Sequence, residues 1–297
     1  MTYLELHHGR YTSLVSPSGA ALASLTYDGQ DIVLPVPDGE VATGFQGKTL
    51  APWPNRIRGA TYRVHGHRER LAVTEPETGD ALHGLVCWQE FTVIAHEPSQ
   101  VRLVTRILPQ PGYPFTIRLL VSYTLNDRGL HATASVINQG DRNTPYGIGA
   151  HPYLRCGGAA PDRCELTVPE TSRVRLGAVQ DELDVASILG AHGKPVLLGR
   201  SRVDHAFTGL PQHWNVTLRD PRTGLWARLS SSTRWMQIYT GERLGRAGVA
   251  VEPMTCPPNA FNSGIDLIWL RPSGSHVFTW KIDAGYGRGV GAPEARW

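Results

Sequence analysis

The sequence predicts a large all-β, antiparallel protein, a sandwich or barrel, on three observations. Glycine (32) and proline (22) are frequent in the 297 residues, and turn signals recur at about ten-residue intervals. Between them lie short runs in which apolar and polar residues alternate with a period of two, the pattern of strands with one buried face. One short stretch, residues 181–189, reads as a helix. Length alone would allow about two domains, but all-β folds of this size are often single. No linker, repeat or charge run divides the chain, so residues 1–286 are expected to form one domain, followed by a flexible tail over 287–297.

Taken in order, residues 14–34 read as hairpin strands joined at Tyr27-Asp28-Gly29-Gln30. Residues 62–64 and 68–73 flank His65-Gly66-His67, a second hairpin turn. Two histidines this close could be metal ligands, but no third ligand is suggested nearby, so no metal site is expected. Residues 101–107, 116–125, 131–138, 215–218, 225–229 and 235–239 continue the series of strands. The glycines spaced through 285–291 precede no strand–helix unit, which removes a nucleotide-binding reading.

Composition narrows the function. Hydrophobic residues at 41% and charged residues at 19% describe a folded, globular chain. A net charge of +3 with scattered arginines gives no nucleic-acid footprint. No run of about 18 apolar residues suggests a membrane span. Residues 1–8 have neither a basic nor an apolar leader-like segment, so no secretory signal is expected. Cys87, Cys156, Cys164 and Cys256 form no C-x-x-C pair, which fits free thiols in the cytoplasm. Cys156 and Cys164 could still be neighbours in space.

Five stretches carry chemistry. In residues 249–264 an apolar strand delivers Glu252 just before Pro253, a residue expected to end the strand because it cannot donate to a ladder. A carboxylate at such a seam can be desolvated and aimed as a general base, or it can simply face water. Residues 48–59 form a rigid loop with Trp53, Asn55 and Arg56. There Trp53 would stack on a polar ring and Arg56 donate to its hydroxyls, or Trp53 would fill core and Arg56 pair with a carboxylate. His83 stands at a turn after Ala81-Leu82, and His151 follows Gly147-Ile-Gly-Ala and precedes Pro152. Asp204 follows a basic turn in Val203-Asp-His-Ala-Phe207. His7, His8, His96, His131, His192, His213 and His276 are read as surface or hydrogen-bonding residues.

Asn55-Arg-Ile57, Leu82-His-Gly84, His151-Pro-Tyr153, Asp204-His-x-Phe207 and Val251-Glu-Pro253 occur in this order, and Trp235-Met-Gln-Ile-Tyr-Thr-Gly241 leads into the last. The set resembles the aldose 1-epimerases (mutarotases), the galactose mutarotase-like group, from the first hairpin to about residue 284. The wording of residues 51–56 and 252–261 looks closest to a bacterial branch that includes sulfoquinovose mutarotase-like proteins. The resemblance implies a β-supersandwich with a sugar-binding cleft. It implies Glu252 as general base and His151 as general acid, with His83, Arg56 and Asp204 holding sugar oxygens. Asn55 and Trp53 complete the candidate substrate-binding set. Many members carry a second acidic residue where this chain has His205, so the reading of sugar hydroxyls is expected to differ.

Mutarotation moves protons only, so no cofactor and no metal are expected, in keeping with the absence of nicotinamide, phosphate-loop and zinc signatures. The expected partner is a small-molecule sugar, with no nucleic acid and no membrane, bound to a monomer or homodimer. A hexose 6-phosphate epimerase, a sulfoquinovose mutarotase and a non-catalytic sugar-binding protein are the alternatives. Glycoside hydrolysis commonly needs two carboxylates, and one acid opposite a histidine does not meet that need.

Overall fold

A computed structural model describes residues 3–171, 173–175 and 193–287. The fold is almost entirely antiparallel β, as the alternation predicts. A nine-stranded sheet runs in the spatial order Thr92–Glu97, Gln100–Ile107, Ile117–Asn126, Gly129–Asn138, Ser275–Tyr286, Leu225–Ser231, Trp214–Arg219, Glu165–Thr167 and Val196–Leu197. A second, seven-stranded sheet holds Arg173–Arg175, Asp204–Thr208, Trp235–Tyr239, Val249–Met254, Gly149–Ala150 and Thr49–Leu50, with Tyr153–Leu154 also paired to Val249–Met254. A four-stranded sheet, Leu4–His8 through Gln30–Asp31, and three two-stranded pairs, one of them Arg56–Ile57 with Ala81–Leu82, accompany these among the described residues.

Ile117–Asn126 buries every second residue, which is why the period-two pattern is clear there. Its buried face shares one apolar cluster with Leu6 and Leu25 of the four-stranded sheet and with Phe207, Ile238 and Val251 of the seven-stranded sheet. The short helix among the described residues is Ala260–Ser263; the helix expected over 181–189 lies outside them.

Both predicted hairpin turns form. Asp28 and Gly29 have φ of 50° and 71°, and His65 and Gly66 have φ of 47° and 81°. Two successive positive-φ residues match the twist of the flanking strands. His65 is used structurally: its Nε2 donates to the Asn143 carbonyl at 2.8 Å.

One local expectation fails. The strand does not stop at Pro253, which stays in register opposite Met236. Val251 and Thr255 donate their N–H groups to the carbonyls of Pro152 and Ile148. Pro253, in the same phase, therefore withholds a bond on that side alone, and pairing toward Trp235–Tyr239 continues. Cys156 and Cys164 do come close enough to influence each other's ionisation, as buried free thiols that donate to the Leu218 and Ala160 carbonyls.

Candidate active site

The cleft opens over the seven-stranded sheet. Glu252 sits on Val249–Met254, whose six residues are all buried, and its side chain is 3% exposed. His151 lies in the two-residue break between Gly149–Ala150 and Tyr153–Leu154. Its own backbone is pinned, because its N–H donates to Lys48 and its carbonyl accepts from Gly47. Gly149 is needed beside it: a Cβ there would meet the Pro253 carbonyl and the Pro54 ring at 3.0 Å each. These constraints place His151 Nε2 3.4 Å from Glu252 Oε1. A second histidine–carboxylate contact, His8 with Asp127, is at the surface.

His83 joins the pair with its ring edge-on to His151 at 5.1 Å. The segments around it interlock. His83 N–H donates to the Asn55 carbonyl, and Asn55 N–H donates to His83 Nδ1 at 3.2 Å. Asn55 and His83 both take positive φ, of 55° and 61°. Gly84 must be glycine, with φ of 78° and room for no Cβ against the Ala51 carbonyl, 2.2 Å away. Because Nδ1 accepts, the neutral His83 ring carries its proton on Nε2 and presents a donor to the cleft.

Arg56 lines the cleft and is aimed by Glu75, which accepts from its Nε at 2.5 Å and its Nη2 at 2.8 Å. Arg243 reaches the same carboxylate at 3.2 Å. Asp204 also lines the cleft, one oxygen taking a bond from Gln237 Nε2 at 2.6 Å. Gln237 is buried and stands directly across the ladder from Glu252. His151 Nδ1, Glu252 Oε2 and Gln237 Oε1 are buried without a protein partner. Such atoms are costly unless something polar completes them.

Burial sets the charges. It pushes the Glu252 carboxyl well above 4.5, with Asp204 adding to the rise and Arg56 opposing it. It drives the His151 imidazole down to about 3 and lowers His83 well below 6.5, the latter also through His151, Arg56 and Arg243. Burial therefore favours the neutral form of each residue. This differs from a resting carboxylate facing an imidazolium, because neither charge is solvated here. Glu75 shows the opposite behaviour: hydrogen bonding from Arg56 holds its carboxyl at about 2.

The structure gathers Glu252, His151, His83, Arg56, Asp204 and Asn55 around one cleft. It does not bring Trp53 there. Trp53 is 2% exposed, packs edge-on against Phe261 and donates its indole N–H to the Ala81 carbonyl. An indole so enclosed cannot stack on a sugar, and the core reading holds for it. Arg56 pairs with a carboxylate, as the second reading has it, and also lines the cleft. His205 bonds its own neighbour, its Nδ1 donating to the Asp204 carbonyl at 2.7 Å. Because that oxygen can only accept, Nδ1 is the donor. Glu75, Gln237, Arg243 and Phe45 escaped the sequence reading. Gln237 alone had a signal, lying within the motif that leads to Glu252.

His83, His151 and Glu252 each offer a ligand atom within 4.8 Å of the others. Binding a metal through His83 Nε2 would require moving that ring's proton onto Nδ1, which faces the Asn55 N–H. The cluster suits proton transfer better than metal binding.

Comparison with known proteins agrees with this architecture. Residues 2–283 match the aldose 1-epimerase family. The uncharacterized protein YihR of Escherichia coli K12 is 35% identical over 288 residues, covering 94% of this chain and 92% of YihR. The crystal structure of a GalM/aldose epimerase homologue from C. elegans superposes with a TM-score of 0.82 at 19% identity, covering 96% of this chain and 99% of that one. A galactose mutarotase-like protein from Clostridium acetobutylicum gives 0.82 at 16% identity, covering 95% of each chain. The chain belongs to the aldose 1-epimerase family.

Proposed function

We propose that the protein is an aldose 1-epimerase that interconverts the α and β anomers of a free aldohexose or a related sugar by acid/base ring opening. The observation that carries this reading is the buried His151–Glu252 contact at 3.4 Å, with an unpartnered polar atom left on each residue. Ring opening requires the C1 hydroxyl to lose a proton while the ring oxygen gains one. Glu252 accepts the hydroxyl proton, the bond from C1 to the ring oxygen breaks as the C1 carbonyl forms, and His151 supplies a proton to the ring oxygen. Rotation about C1–C2 and the reverse transfers close the ring on the other face. Neither step moves electrons to a cofactor.

The cycle needs one proton shared by the pair. Passing it from Glu252 to His151 changes no net charge, and a sugar hydroxyl donating to Glu252 favours the carboxylate. The 3.4 Å separation is long for a hydrogen bond and is expected to tighten when sugar replaces water. His83 Nε2–H, Arg56, Asn55 and Asp204 are the groups that would hold the remaining sugar oxygens.

The test is anomer exchange measured by NMR in Glu252→Gln and His151→Asn proteins that retain a normal thermal melt. Each positioned group is worth about 10²–10⁴ in rate, so exchange should fall by about 10²-fold or more. The double variant should be little worse than the poorer single one, because the two act as a unit. A folded Glu252→Gln protein with near-normal exchange would overturn the assignment and favour a non-catalytic sugar-binding protein.

A second reading concerns the sugar's charge. Arg56 and Arg243 share the single Glu75 carboxylate, and Asp204 in the same lining offsets the second positive charge. A hexose bearing a phosphate or sulfonate would have to be met by the donors of Arg56 and Arg243 that Glu75 leaves free. Comparing exchange rates of neutral, phosphorylated and sulfonated hexoses in wild type and Arg56→Lys tests it. Equal rates for all three sugars would remove the anion site.

A further inference from the structure

We propose that Phe45 is a positioning residue for the proton-transfer pair, a strained aromatic wall that keeps water from the His151 and His83 imidazoles. The proposal rests on the acid/base reading above for its kinetic consequence, but its physical content is independent of it.

Phe45 has φ of 59°, a left-handed conformation that bulky side chains adopt only when their surroundings force it. The forcing contacts are local. Its N–H donates to Ala42 and its carbonyl accepts from Lys48. The preceding Gly44 carbonyl accepts from the Tyr153 hydroxyl at 2.9 Å. Gly44 also has no room for a side chain, since a Cβ would meet Leu244 Cδ1 at 2.7 Å. Strain held this firmly points to a task for the side chain it presents.

That side chain faces the chemistry. The half-buried Phe45 ring lines the cleft. It lies edge-on to His83 at 4.6 Å and roughly parallel to His151 at 6.2 Å. Trp88 backs it at 5.4 Å, and the Lys48 ammonium sits 4.9 Å over the Trp88 ring. Trp88, Phe45 and the two imidazoles thus form a continuous aromatic contact running from the surface to the pair.

The ring's effect is on hydration. His151 is faced by Glu252 at 3.4 Å, by the His83 ring and by Tyr153, whose ring stacks on it at 5.0 Å. Arg56, Arg243, Asp204, Tyr239 and Leu82 are among the other residues that line the cleft. Leu82 is the other aliphatic or phenyl side chain in this lining, and Phe45 is the apolar ring in contact with both imidazoles, placed to exclude water from them. Burial holds His151 down at about 3. Admitting water should release it upward, toward 6.5.

The experiment compares Phe45→Gly with Phe45→Tyr. Glycine relieves the left-handed strain, so the thermal melt should be retained, while tyrosine keeps the ring. The first readout is the NMR titration of the His151 imidazole in sugar-free protein. The His151 midpoint should rise in Phe45→Gly and stay near wild type in Phe45→Tyr. The second is anomer exchange, where kcat should fall by about tenfold or more in Phe45→Gly with a smaller change in KM, and recover in Phe45→Tyr. An unchanged His151 midpoint in folded Phe45→Gly would overturn the proposal. Wild type without anomer exchange would instead overturn the acid/base reading and leave the titration result standing.

Discussion

Replacing Glu75 by glutamine tests the charge that aims Arg56. Glu75 is 2% exposed and takes hydrogen bonds from Arg56, Arg243 and the Thr78 hydroxyl. Its carboxyl falls from 4.5 to about 2, chiefly through Arg56. At about 1.4 kcal/mol for each tenfold change in proton affinity, this corresponds to about 3 kcal/mol of stability at neutral pH. The folded value is depressed, so the contribution is present above the unfolded 4.5 and is lost as pH falls through about 2. At pH 3 about 1 kcal/mol remains by the same linkage. For a chain of this length the deficit of Glu75→Gln should therefore be about 5 °C in Tm at pH 7 and about 2 °C at pH 3. Thermal melts of both proteins at the two pH values measure this directly. Arg56, freed from its fork, should also raise KM for the sugar. A Tm deficit equal at both pH values would refute the charge as its cause, and no deficit at either would refute the ion pair as a support of the fold.

The pH profile of kcat/KM for the wild type should be bell-shaped. It should fall on the acid side near about 3, where His151 takes a second proton onto the pair, and on the alkaline side well above 4.5, where Glu252 loses the only one; a flat profile would exclude this pair. Dialysis against a chelator should leave anomer exchange unchanged, and a loss reversed by zinc would show a metal requirement. Gly84→Ala should lower Tm and abolish exchange together, since its Cβ would overlap the Ala51 carbonyl at 2.2 Å and displace His83. A stable Gly84→Ala protein with normal exchange would show that His83 need not be held there.

Strand positions were legible because alternation reports burial of one face, and Trp235–Tyr239 appears with the predicted bounds. The turns at Asp28-Gly29 and His65-Gly66 were legible because two adjacent residues alone specify them. So were the residues of the cleft that sit in short motifs, Glu252, His151, His83, Arg56 and Asp204. What the sequence by itself determined, then, is the local chemistry: which segments extend, where they turn, and which side chains can carry a proton or a charge. Only the tertiary structure decided what those side chains meet. Trp53 reads as a ligand platform in its loop and becomes core once Phe261 closes on it. Glu75 lies in a loop without any signal, and its role exists because folding brings Arg56 and Arg243 to one buried carboxylate. Phe45 acquires a purpose only where its strained backbone sets the ring against His83 and His151. The protonation of Glu252 and His151 is likewise absent from their residue types, because it follows from water excluded by segments far apart in the chain, and desolvation is a property of the packed fold.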